Sequence, residues 1–239
     1  MARPLRALAR SRVGRPFAPA WFDEARFLVQ ATAIRGVLRD RELGGRVLNA
    51  GCGEGLYAGL IEGFPRVTAI VNVDRARPSI AVRSGDRRHR DLQGTLTQLP
   101  FAPAAFDAIV CTEVLEHVAR DDHAVAELAR VLKPGGLILV SVPLPPAPHD
   151  PAHVREGYAP DALSALLGRN GIEVVGSETC LHVIMRGLYR AWRWQHAVAG
   201  RNVFPRILLR AAARLDRVTR LGRPWDLVVA GVKTGLTSD

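Results

Sequence analysis

Lysine is nearly missing from this sequence: of 33 basic side chains only Lys133 and Lys233 are lysines, and the rest are arginine. Arginine's planar fork suits phosphate groups, but coding bias produces the same preference, so residue choice alone leaves both open. Cysteine is scarce too. Cys52, Cys111 and Cys180 are odd in number and lie far apart in apolar or glycine-rich sequence, which argues against a disulfide framework or a metal knuckle and suits a reducing compartment. No run of about 18 uncharged apolar residues occurs, so a spanning helix is not expected. Residues 1–15 carry an arginine every few positions where a secretory signal would have an apolar core, and a cytoplasmic protein is expected.

What is present fits a globular protein. The chain has 239 residues, 48% hydrophobic and 23% charged, enough for one large core with an appendage. Its net charge of +10 is unevenly placed. Residues 1–20 hold five Arg and no acid; 21–180 hold 17 basic and 20 acidic side chains; 181–224 hold ten Arg against Asp216 alone. The middle is therefore slightly acidic and the basic excess sits in two peripheral segments, as expected where a core does one job and its flanks meet an anionic surface.

Hydrophobic periodicity predicts a helix over 21–38, with Asp23 and Glu24 in its first turn and Gly44 and Gly45 beyond its end. Val47, Leu48 and Ala50 form a short buried strand, broken by Gly51, Gly53 and Gly55. Further strands are expected at 67–73, 89–93, 107–112, 137–142, 171–175 and 225–232, with helices at 116–132 and 161–167. The second of these helices follows a stiff proline-rich connector, 143–151. Strands alternating with helices at this spacing predict a doubly wound, Rossmann-like, mostly parallel sheet with right-handed crossovers. Ligands of such sheets bind outside the carboxyl ends of the strands.

The turn LNAGCGEG is the strongest chemical signal, because glycines directly after a buried strand let backbone N–H groups approach a ligand closely. Its spacing is G-x-G-x-G, and Leu56 stands where a dinucleotide fingerprint wants glycine or alanine, which weakens a pyrophosphate reading. Asp74 ends the second strand some twenty residues later, where a carboxylate can accept both ribose hydroxyls of an adenosine group.

LNAGCGEG, VNVD ending at Asp74, LPFAPAAFDAIVCTEVLEHV and ELARVLKPGGLILVSVP occur in this order. Together they resemble the class I S-adenosylmethionine-dependent methyltransferases, particularly the small-molecule branch, over 46–175 and again at 225–232. The resemblance implies a seven-stranded α/β sheet with S-adenosyl-L-methionine as cofactor. It implies that Ala50, Gly51, Cys52 and Gly53 receive the methionine end, that Asp74 and Arg75 meet the ribose, that Thr95 and Leu96 cover the adenine, and that Thr112 and Glu113 line the methyl-bearing pocket. Two positions depart from the family pattern. Thr95 stands where an aspartate usually binds the adenine amine, with Asp91 four residues upstream, and Asn49 replaces the usual acid of the first motif. Both changes imply weaker cofactor binding.

His117 is the candidate catalytic base, with a packing role as the alternative, since transfer to a good nucleophile needs alignment more than proton removal. Cys52 reads as a small packing residue. His149, His153, Arg155 and Tyr158, with Asp150, are read as a substrate lid, because the stretch resembles the loop before an FTP-x-x-L helix in related enzymes; Gly157 stands where those often carry Arg. No metal site is expected, since His149, Asp150 and His153 lie in a proline-rich loop without a second ligand pair.

Residues 181–224 lie outside the family core and read as a helical insertion before the last strand. Arg206, Arg210, Arg214, Arg217 and Arg220 fall on one helical stripe and Leu208, Leu215 and Val218 on another. Arg186, Arg190 and Arg193 repeat the pattern beside Leu188, Tyr189, Trp192 and Trp194. The segment is expected to cap the site, to meet an anionic membrane, or both. The chain thus divides into a basic arm and helix (1–45), a methyltransferase core (46–180), the insertion (181–224) and a final strand with its tail (225–239). The expected function is methyl transfer to a small-molecule, lipid or lipid-linked sugar acceptor, in the cytoplasm or peripherally on the inner membrane face. The rivals are a nucleic-acid methyltransferase and a catalytically weak membrane- or partner-binding scaffold. Nucleic acid is disfavoured because Cys111-Thr112-Glu113-Val114 stands where base-amine enzymes of this class carry Asn or Asp, Pro-Pro and an aromatic.

Overall fold

The computed structural model describes residues 22–39, 41–146, 150–199 and 205–235. The basic arm of 1–20 and the candidate lid residue His149 lie outside these. Helix α1 (Phe22–Leu38) leads into β1 (Gly44–Ala50), α2 (Ala58–Glu62), β2 (Arg66–Asp74), α3 (Ile80–Ser84), β3 (His89–Gln93) and β4 (Phe106–Thr112). A short 3₁₀ turn (Leu115–His117), α4 (Asp121–Val131), β5 (Leu132–Pro143), α5 (Pro160–Gly168) and β6 (Ile172–Cys180) follow. Helices α6 (Val183–Ala199) and α7 (Arg206–Thr219) then precede β7 (Asp226–Lys233).

The seven strands form one sheet in the order β3-β2-β1-β4-β5-β7-β6. Only β7 runs antiparallel to its neighbours. The chain adds β2 and β3 on one side of β1 and β4 on the other, and this switch between β1 and β4 opens the crevice where ligands of doubly wound sheets bind. The last four residues of β1 and all but one of β4 are buried, because helices cover both faces and leave the central strands no wet side.

Helix α1 is buried nearly all round. Phe27, Val29, Ala31, Ala33, Ile34, Val37 and Leu38 are all in the core, since α1 packs on β6 and β7 below and on α6 and α7 above. The insertion is thus bound to the sheet through α1.

Two elements differ from the sequence expectation. The helix expected over 116–132 is split into the 3₁₀ turn, an extended Val118, and α4. Arg155 causes the break: its guanidinium donates to the carbonyls of Leu115, Val118 and Ala119, oxygens that a continuous helix would need for its own ladder. The second difference is at the end of α4, where β5 opens at Leu132, five residues before the strand expected at 137–142, with Leu132 paired to Phe106.

Candidate active site

The carboxyl ends of β1, β2 and β4 meet around the glycine turn. Gly51 has φ of +68° and lies so close to Val114 that an added Cβ would come within 2.4 Å of a valine methyl. Only glycine allows this approach, which brings the loop after β1 against the loop after β4. Gly53 has φ of +48° and faces open space, with nothing within 4 Å of where a Cβ would stand.

Asp74, at the end of β2, accepts the Gly53 N–H at 2.8 Å on one oxygen and the Ala76 N–H at 3.1 Å on the other. Each carboxylate oxygen keeps a free lone pair after one such bond, so the group is held in place and can still accept two ribose hydroxyls. Arg75 is exposed, and Leu96, in the loop that follows β3, is buried. The cradle at Gly53 and the fixed Asp74 fit an adenosine-bearing cofactor with a short polar tail.

The two departures from the family pattern take definite places. Asn49 is buried and donates to Asn72, and Asn72 donates to Asp91. Asp91 also accepts the Ala81 N–H at 2.8 Å at the start of α3, so its carboxylate is anchored between β2 and α3. Thr95 is exposed, its hydroxyl 3.0 Å from that of Thr97.

Cys52 is half-buried, and desolvation, then Asp74 and Asp91, push its thiol up to about 12. A thiol that stays protonated is a poor nucleophile, which fits a packing role.

Thr112 is buried. Glu113 has φ of +56° and is fully engaged: it is ion-paired with Arg26 and accepts from Gln30 at 3.1 Å and from Ser141 at 2.8 Å. Arg26 also pairs with Asp226 at 3.2 Å, and Gln30 bonds Asp226 at 2.6 Å and accepts from Tyr57. This buried network ties α1 to the carboxyl edge of the sheet. Sequence reading missed Arg26, Gln30 and Asp226; the available signal was a pair of polar residues four apart inside an apolar helix face.

The lid residues divide. Arg155 and Tyr158 are structural: Arg155 pairs with Asp121 at 3.2 Å besides its three carbonyls, and the Tyr158 hydroxyl donates to Asp121 at 2.7 Å. Their polar groups hold the loop to the 3₁₀ turn. His153 is held over His117, the ring centroids 4.6 Å apart, while Val154 N–H bonds the Glu116 carbonyl at 2.9 Å. His117 Nδ1 lies 3.0 Å from the Ala152 carbonyl oxygen. Glu116 beside it is buried, and desolvation, then Glu113, push its carboxyl up to about 9. A cleft of about 490 Å³ lined by Gly36, Arg39, Arg41, Glu178 and Arg220 lies elsewhere, between the end of α1 and β6.

A family model described as a methyltransferase domain matches residues 48–140. A protein of Mycobacterium tuberculosis named a probable S-adenosylmethionine-dependent methyltransferase is 31% identical over 228 residues, covering 91% of this chain and 74% of that one. A ubiquinone biosynthesis O-methyltransferase of Xylella fastidiosa is 38% identical over 105 residues, 41% of this chain and 42% of that one. Among solved structures, the 1,6-didemethyltoxoflavin-N1-methyltransferase of Burkholderia thailandensis, with bound S-adenosylhomocysteine, superposes with a TM-score of 0.55 at 20% identity over 89% of this chain and 80% of that one.

Proposed function

This chain belongs to the class I S-adenosylmethionine-dependent methyltransferases, and from that membership we propose that it methylates a lipid, a lipid-linked sugar or another hydrophobic small molecule at a membrane surface. S-Adenosylmethionine supplies the activated methyl group. The chain's own residues supply position: Gly51 and Gly53 shape the cradle, Asp74 holds the ribose, and Arg26 with Glu113 fixes the wall after β4.

The observation that carries the acceptor class is the outward face of the insertion. Leu208, Leu215 and Val218 on α7 are exposed, Val218 at 74%, among the exposed arginines Arg210, Arg214 and Arg217. On α6, Trp194 is 70% exposed, with Val198 near it. Apolar side chains interleaved with arginine suit the headgroup level of an anionic bilayer. The insertion also leaves the sheet at Cys180 and returns at Asp226, which pair with each other, on the edge that carries the glycine turn. A surface-bound acceptor would thus be near the cofactor. No helix among the described residues is long and apolar enough to cross a membrane. The ubiquinone-named relative favours the same acceptor class.

The test is incorporation of label from methyl-tritiated S-adenosylmethionine into an extract of the source cells, split into lipid, aqueous and nucleic-acid fractions. Label in the lipid fraction is expected. Label confined to RNA or DNA would move the acceptor to nucleic acid, and a protein that binds no cofactor at millimolar concentration would be a scaffold.

A further inference from the structure

Glu116 is fully buried, yet neither of its carboxyl oxygens has a hydrogen-bond partner among the described residues. Native structures retain few such groups, and each calls for an explanation. Its surroundings offer one. The Ala152 carbonyl can only accept, so His117 Nδ1 carries the proton in the bond between them, and Nε2 presents a lone pair. That Nε2 lies 3.9 Å from Glu116 Oε1. One ligand atom each from Glu116, His117 and His153 falls within 4.8 Å of the other two. Asp150 stands 3.8 Å from His153 Nε2.

We propose that Glu116, His117 and His153 form a binding site for a divalent cation of the first transition row. A carbonyl behind one imidazole nitrogen is the arrangement that orients metal-binding histidines, and the ion answers the unpartnered carboxyl. Two imidazoles and one carboxylate suit zinc, iron or cobalt, whereas magnesium and calcium favour oxygen shells. Entry is open on the histidine side, where the His117 side chain is 31% exposed, while Glu116 closes the back. The sequence hides the site because His153 lies far from the Glu116-His117 pair and reaches it through the bonds of Ala152, Val154 and Arg155. The second cluster, Glu62, Asp86 and His89, is different: His89 bonds Glu62 at 2.9 Å and Asp86 holds Arg88 at 2.7 Å, so its groups already satisfy one another.

The site lies just past Glu113, in the loop that follows β4. An acceptor hydroxyl on a free position of such an ion loses its proton more readily than in water. That role rests on the methyltransferase reading; cation binding itself does not.

The test uses the full chain without a histidine tag, stripped with chelator, and titrated with Co²⁺ by calorimetry and visible absorption in the absence of methyl donor. One saturable equivalent is expected. His117→Ala and His153→Ala, both at partly exposed positions, should each weaken it by at least about tenfold, as should Glu116→Gln, while His123→Ala leaves it unchanged. Thermal melts confirm that each variant is folded. Absence of saturable binding by the wild type overturns the proposal, as does binding that survives all three substitutions and is lost in His89→Ala. Cofactor binding measured on the same samples shows separately whether the methyltransferase reading stands.

Discussion

Arg26 on α1 pairs with Asp226, the first residue of β7, at 3.2 Å, although the two are 200 positions apart. The same guanidinium reaches Glu113, so one cation compensates two carboxylates at the edge of the sheet. Arg26→Leu should destabilise the protein by about 3–5 kcal/mol, because both acids are left buried without a cation. Urea unfolding measures the loss.

The pH dependence of that variant has a definite sign. Burial outweighs Arg26 and pushes the Asp226 carboxyl up to about 7, with Glu113 adding to the rise. An acid whose folded pKa lies above its unfolded value favours the folded state at low pH, and that benefit is lost as pH rises from the unfolded pKa through the folded one. Without Arg26 the folded value rises further, so Arg26→Leu should be more stable at pH 5 than at pH 8. Adding Asp226→Asn should reduce the slope, and what remains belongs to Glu116, whose carboxyl burial pushes up to about 9. A slope unchanged in the double variant would assign all of it to Glu116.

Asp74→Ala should weaken S-adenosylmethionine by about 1.5–3 kcal/mol through loss of charge-assisted bonds to the ribose. Isothermal titration of the purified chain reads this directly, and an unchanged dissociation constant would remove Asp74 from the ribose site.

Thr95→Asp should tighten the cofactor, since a carboxylate bonds an amine about twice as strongly as a hydroxyl does. The position is exposed and free of core packing, so the substitution does not disturb the fold. A neutral or harmful result would show that the adenine amine points elsewhere.

Replacing Arg206, Arg210, Arg214 and Arg217 with Gln should release the protein from anionic vesicles, each arginine contributing about 1 kcal/mol near the surface. Raised salt should do the same, because the attraction is screened within about 8 Å at physiological ionic strength. Co-sedimentation checks both; a wild type that ignores anionic vesicles would leave the insertion as a cap alone.

The central strands were legible because their signal is local. Val47 to Ala50 and Asp107 to Thr112 are apolar runs bounded by breakers, and the glycine turn with Asp74 marks the ligand edge. What stayed hidden depends on distant partners. Glu113 sits in the motif that resembles the methyl-bearing pocket, but Arg26 and Gln30 from another helix claim it. Nothing near residue 116 tells that Arg155 will interrupt the helix there. On α7 the Arg and Leu stripes were visible, whereas the buried face is Leu209, Ala213 and Asp216. Asp216 is a core residue because it accepts the N–H groups of His182, Ile184 and Met185 at the start of α6, a helix-capping role whose partners lie some thirty residues upstream and which no local pattern names.

The pairing of Cys180 with Asp226 has a meaning for how such a protein diversifies. A segment whose two ends are neighbours in a sheet can be lengthened, shortened or exchanged without altering the register of any strand, and closing a longer loop there adds little entropy. Residues 181–224 can therefore be exchanged as a cassette wherever the replacement keeps the side chains that cover α1, such as Met185, Leu209 and Ala213. Grafting one of that kind between β6 and β7 would change the outward face of the insertion while the donor cradle stays as it is.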